Sequence, residues 1–139
     1  MTESDIKQLE AAAGAALPAF YTTTMRNYPF PRGSFADEFL LMNDLDGLLR
    51  EIRQPARYPG IGKPFLIGTD GGEEVYLIDL ASAQPQVFVY DMEKGAHTLK
   101  ANNWDDYLQQ VQSVLDEIDA DERALAQRKA NKRWWEFWK

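Results

Sequence analysis

The sequence predicts an α+β domain with a central antiparallel sheet of about four to six strands, N-terminal helices and a long C-terminal helix. Three observations predict it. Apolar residues recur every three or four positions before residue 53 and after residue 103, but not in between. Short apolar runs separated by Gly, Pro and Asp clusters fill residues 65–101. The connections between those runs are too short for parallel crossovers, which need about a dozen residues.

The elements follow in order. Thr2 and Asp5 have capping-box spacing, so a first helix starts there, carries Ile6, Leu9 and Ala13 on one face, and stops at Gly14. Pro18 suits the first turn of a second helix, whose face holds Phe20, Tyr21, Thr24, Met25 and Tyr28 up to Pro29. PFPRGSFADE breaks both periods and reads as a loop. FLLM at 39–42 reads as a short buried strand, and Asn43 or Asp44 caps a third helix bearing Leu45, Leu48, Leu49 and Ile52. After the loop QPARYPGIGKP, strands are expected at 65–68, 75–80, 87–91 and about 97–101. Asn103 and Asp106 cap the last helix, with Trp104, Tyr107, Leu108, Val111, Val114, Leu115 and Ile118 on its buried stripe. Beyond Ile118 the helix continues but is exposed.

Composition narrows the class. The chain has 139 residues, 45% of them apolar and 27% charged, which suits one globular core. Without cysteine it forms no disulfide, thiol nucleophile or thiolate metal site. No apolar run approaches the ~20 residues of a membrane span, and MTESDIKQLE lacks the basic-then-apolar order of a signal peptide, so a cytoplasmic protein is expected. The net charge of -7 is unevenly spread: Arg123 to Lys139 carries six basic groups and one acid, and the preceding residues are strongly acidic. Such a body repels nucleic acid and anionic membrane and attracts a basic partner. The organisation expected is one domain over 1–122 and a basic, Trp-rich extension over 123–139.

No catalytic constellation emerges. GTDGGEE at 68–74 fails as a calcium loop, because the third position from Asp70 is Gly72, which offers no side-chain oxygen. It succeeds as a hairpin connection, with Gly71 and Gly72 supplying positive φ. PGIGKP lacks the leading glycine and the following hydroxyl of a phosphate loop, and lacks the third glycine of a dinucleotide fingerprint. His97 has no second histidine or cysteine with which to bind zinc, and none of the four serines lies in a G-x-S-x-G elbow. Neither a metal nor a cofactor is expected. Asp105 and Asp106 suit the start of a helix, where the macrodipole favours acids. Asp70, Glu73, Glu74, Asp91 and Glu93 gather at hairpin turns and are the candidate partner contacts. In KRWWEFWK, Trp134 and Trp138 share a helical face with Trp135 beside them; the tail is expected to dock on its own domain or on a second subunit rather than on a membrane.

The order of segments resembles the SUKH superfamily, which includes the Smi/Knr cell-wall assembly regulators and many bacterial immunity proteins. IKQLEAAAGAALPAFY, LLMNDLDGLLREI, FLIGTDGGEEVYLIDL with VFVYD, and NNWDDYLQQV carry the likeness. It assigns Gly68, Asp70, Gly71, Gly72, Tyr76 and Asp79 to the family's central hairpin, and Trp104 to the aromatic that opens its last helix. Two departures stand out: Asn27-Tyr28-Pro29 replaces a frequent Asn-Gly pair, and the tryptophan tail lies outside the pattern. The resemblance implies binding without catalysis, typically an immunity protein that blocks a toxin domain, with a regulatory adaptor of endogenous proteins as the other member role.

Overall fold

The computed structural model describes residues 1–53 and 58–137. Helix α1 spans Glu3–Ala13 and α2 spans Ala19–Arg26; α3 spans Leu45–Ile52. A four-stranded sheet follows, with β1 Pro64–Thr69, β2 Glu74–Asp79, β3 Val87–Asp91 and β4 Ala96–Ala101, and α4 runs Trp104–Phe137. The strands form an antiparallel meander in the order β1-β2-β3-β4.

The expected caps are present. The Asp5 N–H donates to Thr2 Oγ1 at 3.2 Å, the Thr2 N–H donates to Asp5 Oδ2 at 3.0 Å, and Gly14 ends α1 in the left-handed region. At α4 the Asp106 N–H donates to Asn103 Oδ1 at 2.8 Å and Asn103 Nδ2 donates back to Asp106. Pro18 stands immediately before α2 with extended backbone, and α2 stops at Arg26, short of Tyr28.

The strand expected at 39–42 does not form. Ala36–Leu40 instead makes one π-helical turn, closed by the Leu41 N–H on the Ala36 carbonyl at 2.9 Å. Ser34 and Asp37 start it: the Gly33 N–H donates to Asp37 Oδ2 at 2.8 Å and the Asp37 N–H to Ser34 Oγ at 3.3 Å. The Met42 N–H reaches the sheet, donating to the Ile67 carbonyl at 2.9 Å. The four apolar residues have no period of their own, and the wide turn buries Ala36, Leu40 and Leu41 without pairing them in a ladder.

This turn presses on β1 at Gly68, where the register with β2 shifts by a bulge after Leu66. A Cβ at Gly68 would lie 2.2 Å from the Leu40 oxygen. Two tyrosines complete the contact: Tyr107 of α4 donates its hydroxyl to the Leu40 carbonyl, and Tyr28 donates to the Leu41 carbonyl. Around this point pack Leu9, Tyr21, Met25, Leu48, Phe65, Ile67, Leu77 and Val111, all nearly inaccessible to water. The four central residues of both β1 and β2 are buried, whereas β4 buries only Ala101. The sheet is therefore covered on both faces at its β1–β2 end and open at its β4 end.

This packing sets the outcome of three substitutions. Gly68→Ala forces the π turn off the sheet and costs about 3 kcal/mol, lowering Tm by roughly 10 °C in a thermal melt. Tyr107→Phe costs about 1–2 kcal/mol by removing a donor from a buried carbonyl. The Tyr21 hydroxyl is buried with no partner among the described residues, so Tyr21→Phe is neutral or stabilising; opposite signs in denaturant titrations of the two Tyr→Phe variants check the assignment.

Candidate functional site

GTDGGEE closes the β1–β2 hairpin, as expected, with one correction: Gly71 alone adopts positive φ, at 82°, and Gly72 does not. Side chains set the rest of its shape. Asp70 Oδ1 accepts from the Gly72 N–H at 2.8 Å and from the Glu74 N–H at 3.1 Å, and Thr69 Oγ1 accepts from the Gly71 N–H at 3.0 Å. Asp70 thus spends one carboxylate oxygen on its own turn. The β3–β4 turn has the same construction, with Asp91 Oδ1 accepting from the Glu93 N–H at 2.9 Å and the Lys94 N–H at 3.1 Å.

The register brings these two turns side by side. Glu74 pairs with Asp91, and the Met92 N–H donates to the Glu73 carbonyl at 2.8 Å. Carboxylate oxygens of Glu73, Asp91 and Glu93 consequently lie within 4.8 Å of one another. Of the five acids expected at the partner surface, these three meet directly. Asp70 and Glu74 flank them in the first turn. The Glu73 carboxyl is pushed above its ordinary range, first by the hydrogen bond shared with Glu93, then by partial desolvation and the charges of Asp91 and Asp70. The arrangement concentrates negative charge, and none of its acids is in an ion pair among the described residues; Glu73 and Glu93 are exposed and Asp91 is half-buried.

The other family-motif residues are structural in their surroundings. Tyr76 is buried edge-on to Tyr107 at 5.9 Å, with the Lys100 ammonium 5.3 Å from its ring centre. Burial, then the charges of Glu74 and Asp70, push the Tyr76 phenol up to about 12. Trp104 is buried, stacks on Tyr107 at 5.7 Å, and donates its indole N–H to Thr24 Oγ1 at 2.8 Å, fastening α4 to α2.

Asp79 explains the resemblance of PGIGKP to a phosphate loop. Its carboxylate accepts from the N–H groups of Lys63 at 2.9 Å, Gly62 at 3.3 Å and Ala81 at 2.9 Å. Burial by itself would raise this carboxyl, but the three backbone donors outweigh it and hold the group below its ordinary range. An internal anion therefore occupies the donors that a phosphate would need. Lys63 Nζ meanwhile donates to the Gly14 carbonyl at 3.1 Å, at the C-terminal end of α1. His97 lies in β4 against Gly60, beside Phe88, and among the described residues no nucleophile is hydrogen-bonded to it.

The backbone of α4 continues through Trp134 and Trp135, but the expected docking concerns side chains outside the described set, and Trp138 lies outside the described residues altogether. Among the described residues no helix is long and apolar enough to cross a membrane.

The acidic cluster gives a pH prediction. Glu73 binds its proton more tightly folded than unfolded, so the penalty is absent below the ordinary value of 4.5 and grows as pH rises through the raised folded value. Glu73→Gln therefore raises Tm at neutral pH, and the difference from the parent vanishes in acid. Thermal melts across the pH range check the sign.

The SMI1 / KNR4 family (SUKH-1) model matches residues 1–110. No curated protein and no solved structure matches the chain. The matched region takes in the whole four-stranded meander, the π turn, Asp79, Trp104 and the first turns of α4, where the motif residues and the packing described above lie. The chain belongs to the SMI1 / KNR4 (SUKH-1) family.

Proposed function

We propose that this chain is a non-catalytic, cytoplasmic protein-binding domain, an immunity protein that neutralises a cognate bacterial toxin. The proposal assigns binding to residues 1–122 and treats 123–139 as a separate extension. One observation carries it: two adjacent turns on a hydrogen-bonded sheet hold Glu73, Asp91 and Glu93 with their carboxylates together and, among the described residues, in no ion pair. Asp70 and Glu74 extend the same acidic edge. A basic face, such as the active-site surround of a toxin nuclease, would relieve that repulsion on binding. The preformed turns lose little freedom when they dock, which favours affinity. Family membership supports a protein partner, and no step of this reading needs a metal or a cofactor.

The second reading is an adaptor that binds endogenous proteins constitutively, supported by the cell-wall regulators to which the segment order is similar. Co-expression with the C-terminal domain of a toxin encoded beside this chain separates the two. The expected outcome is survival of the cells and recovery of a stable complex. The triple variant Glu73→Lys, Asp91→Lys, Glu93→Lys should slow association roughly a hundredfold or more and abolish its salt dependence. Equal killing with and without the protein, with no complex recovered, removes the immunity reading for that pair; a resident partner captured in the absence of toxin selects the adaptor.

A further inference from the structure

Strand β4 ends the sheet, and among the described residues no strand lies beyond it. Which of its backbone groups are free follows from the ladder. The Met92 N–H is turned toward β2, donating to the Glu73 carbonyl at 2.8 Å. Alternation along β3 then turns Asp91 and Val89 toward β4, where they face Ala96 and Thr98. His97 and Leu99 consequently direct their N–H and C=O groups away from the sheet. Beyond them the Lys100 carbonyl accepts from Gln110 Nε2 of α4 at 3.0 Å.

The outward residues offer no protection against pairing, since neither is a proline or a lysine. The lysine that β4 does carry, Lys100, is folded back with its ammonium 5.3 Å from the centre of the Tyr76 ring. Leu99 is 47% exposed although it stands next to Phe88, its partner in β3. The edge also has opposite charges at its two ends. Lys94, just before β4, is exposed and in no ion pair among the described residues. Past the other end a groove of about 470 Å³ opens between β4 and α4, with Asn102 and the acid Asp106 in its wall.

We infer that two copies of this chain pair antiparallel along β4, with Thr98 on the two-fold axis, and join their sheets into one. In this register His97 of each copy faces Leu99 of the other, and every outward N–H and C=O of both residues is bonded. Neighbouring registers waste groups. An axis at His97 sets Leu99 against Gly95, whose N–H is already given to the Asp91 carbonyl at 2.8 Å. An axis at Leu99 sets His97 against Ala101, which faces Val87. The side chains agree with the Thr98 register. Leu99 of one copy covers His97 of the other, so the rows Phe88–Leu99 and Tyr90–His97 continue into each other across the junction. On the opposite face Thr98 meets Thr98, and Lys100 lies opposite the small Ala96. Lys94 falls opposite Asn102 and beside Asp106 of the other copy, twice by symmetry. A foreign extended peptide meets the backbone row alone, whereas a second copy also supplies both charges. The carboxylates of Asp91 and Glu93 gather with Glu73 on the β2 side, away from this edge, so the pairing stands or falls independently of the toxin reading.

Sedimentation velocity on the full chain from micromolar to millimolar concentration tests it, with amide hydrogen exchange alongside. The expected species is a concentration-dependent dimer in which the His97 and Leu99 amides gain protection. Leu99→Pro removes an outward N–H without touching the β3 ladder and should weaken the dimer at least tenfold, with the circular dichroism of the fold unchanged. Leu99→Lys keeps that N–H but puts a charge into the apolar row, and should weaken it similarly. Lys94→Glu should weaken it by a smaller factor. Because the chain has no cysteine, Thr98→Cys gives a single symmetric cross-link under mild oxidation. Ala96→Cys should not cross-link, because the register sets the two copies of residue 96 about 13 Å apart along the strands. A wild-type monomer at all concentrations overturns the inference, as does a dimer that both Leu99 variants leave intact or one that cross-links equally well through residue 96. Protection of the two amides by an added extended peptide, on a chain that stays monomeric, gives the edge to a foreign strand and also overturns it.

Discussion

The approach of the π turn to β1 at Gly68 is the constraint on which the rest of the structure depends. A backbone carbonyl sits where a side chain would normally stand, so the strand must carry glycine there. The same approach leaves the carbonyls of Leu40 and Leu41 in need of donors, because a single wide turn cannot satisfy its own C-terminal end. Tyr107 and Tyr28 supply them. In doing so they fix where α4 and the end of α2 stand against the sheet. Trp104 then joins those two helices to each other through Thr24. One close contact thus determines the placement of three elements distant in sequence.

That arrangement also determines where the molecule has surface to offer. The β1–β2 end of the sheet is sandwiched, and its outer edge receives one hydrogen bond, from the Met42 N–H to the Ile67 carbonyl. Asp79 ties the 58–63 loop to the end of β2, and Lys63 ties it to α1. What remains outward are the hairpin turns, with their acids, the open β4 end of the sheet and the second half of α4. Each turn is shaped by its own aspartate, Asp70 or Asp91, which bonds backbone N–H groups. The chemistry is that of rigid presentation: fixed backbone, short loops, and charge carried by side chains free to meet a partner.

Much of this was legible in the sequence, and the reasons for the gaps are physical. The Thr2 and Asn103 caps, the Gly14 stop and all four strands could be read because each depends on residues within a few positions. The π turn could not. Phe39 to Met42 lack a period, and the signal that decides their shape, Gly68, lies in another element. The acids at both turns were visible, but the convergence of Glu73 on Asp91 and Glu93 depends on the β2–β3 register, which only the folded sheet defines. The likeness of PGIGKP to a phosphate loop had a cause that no local reading reveals: the anion is Asp79, supplied by the chain itself. Gly72, expected at positive φ, is spared that conformation because the Asp70 carboxylate holds its N–H from outside.

The sheet and its clasp also differ in how far apart their partners lie along the chain. Every strand pairs with its sequence neighbour, so the meander closes only short loops as it forms. The Tyr107–Leu40 bond spans 67 residues and the Trp104–Thr24 bond 80. The hairpin loops therefore cost little closure entropy, whereas the clasp closes much longer stretches of chain and costs more. The sheet is thus local in its closure, and the clasp that fixes the helices against it is not.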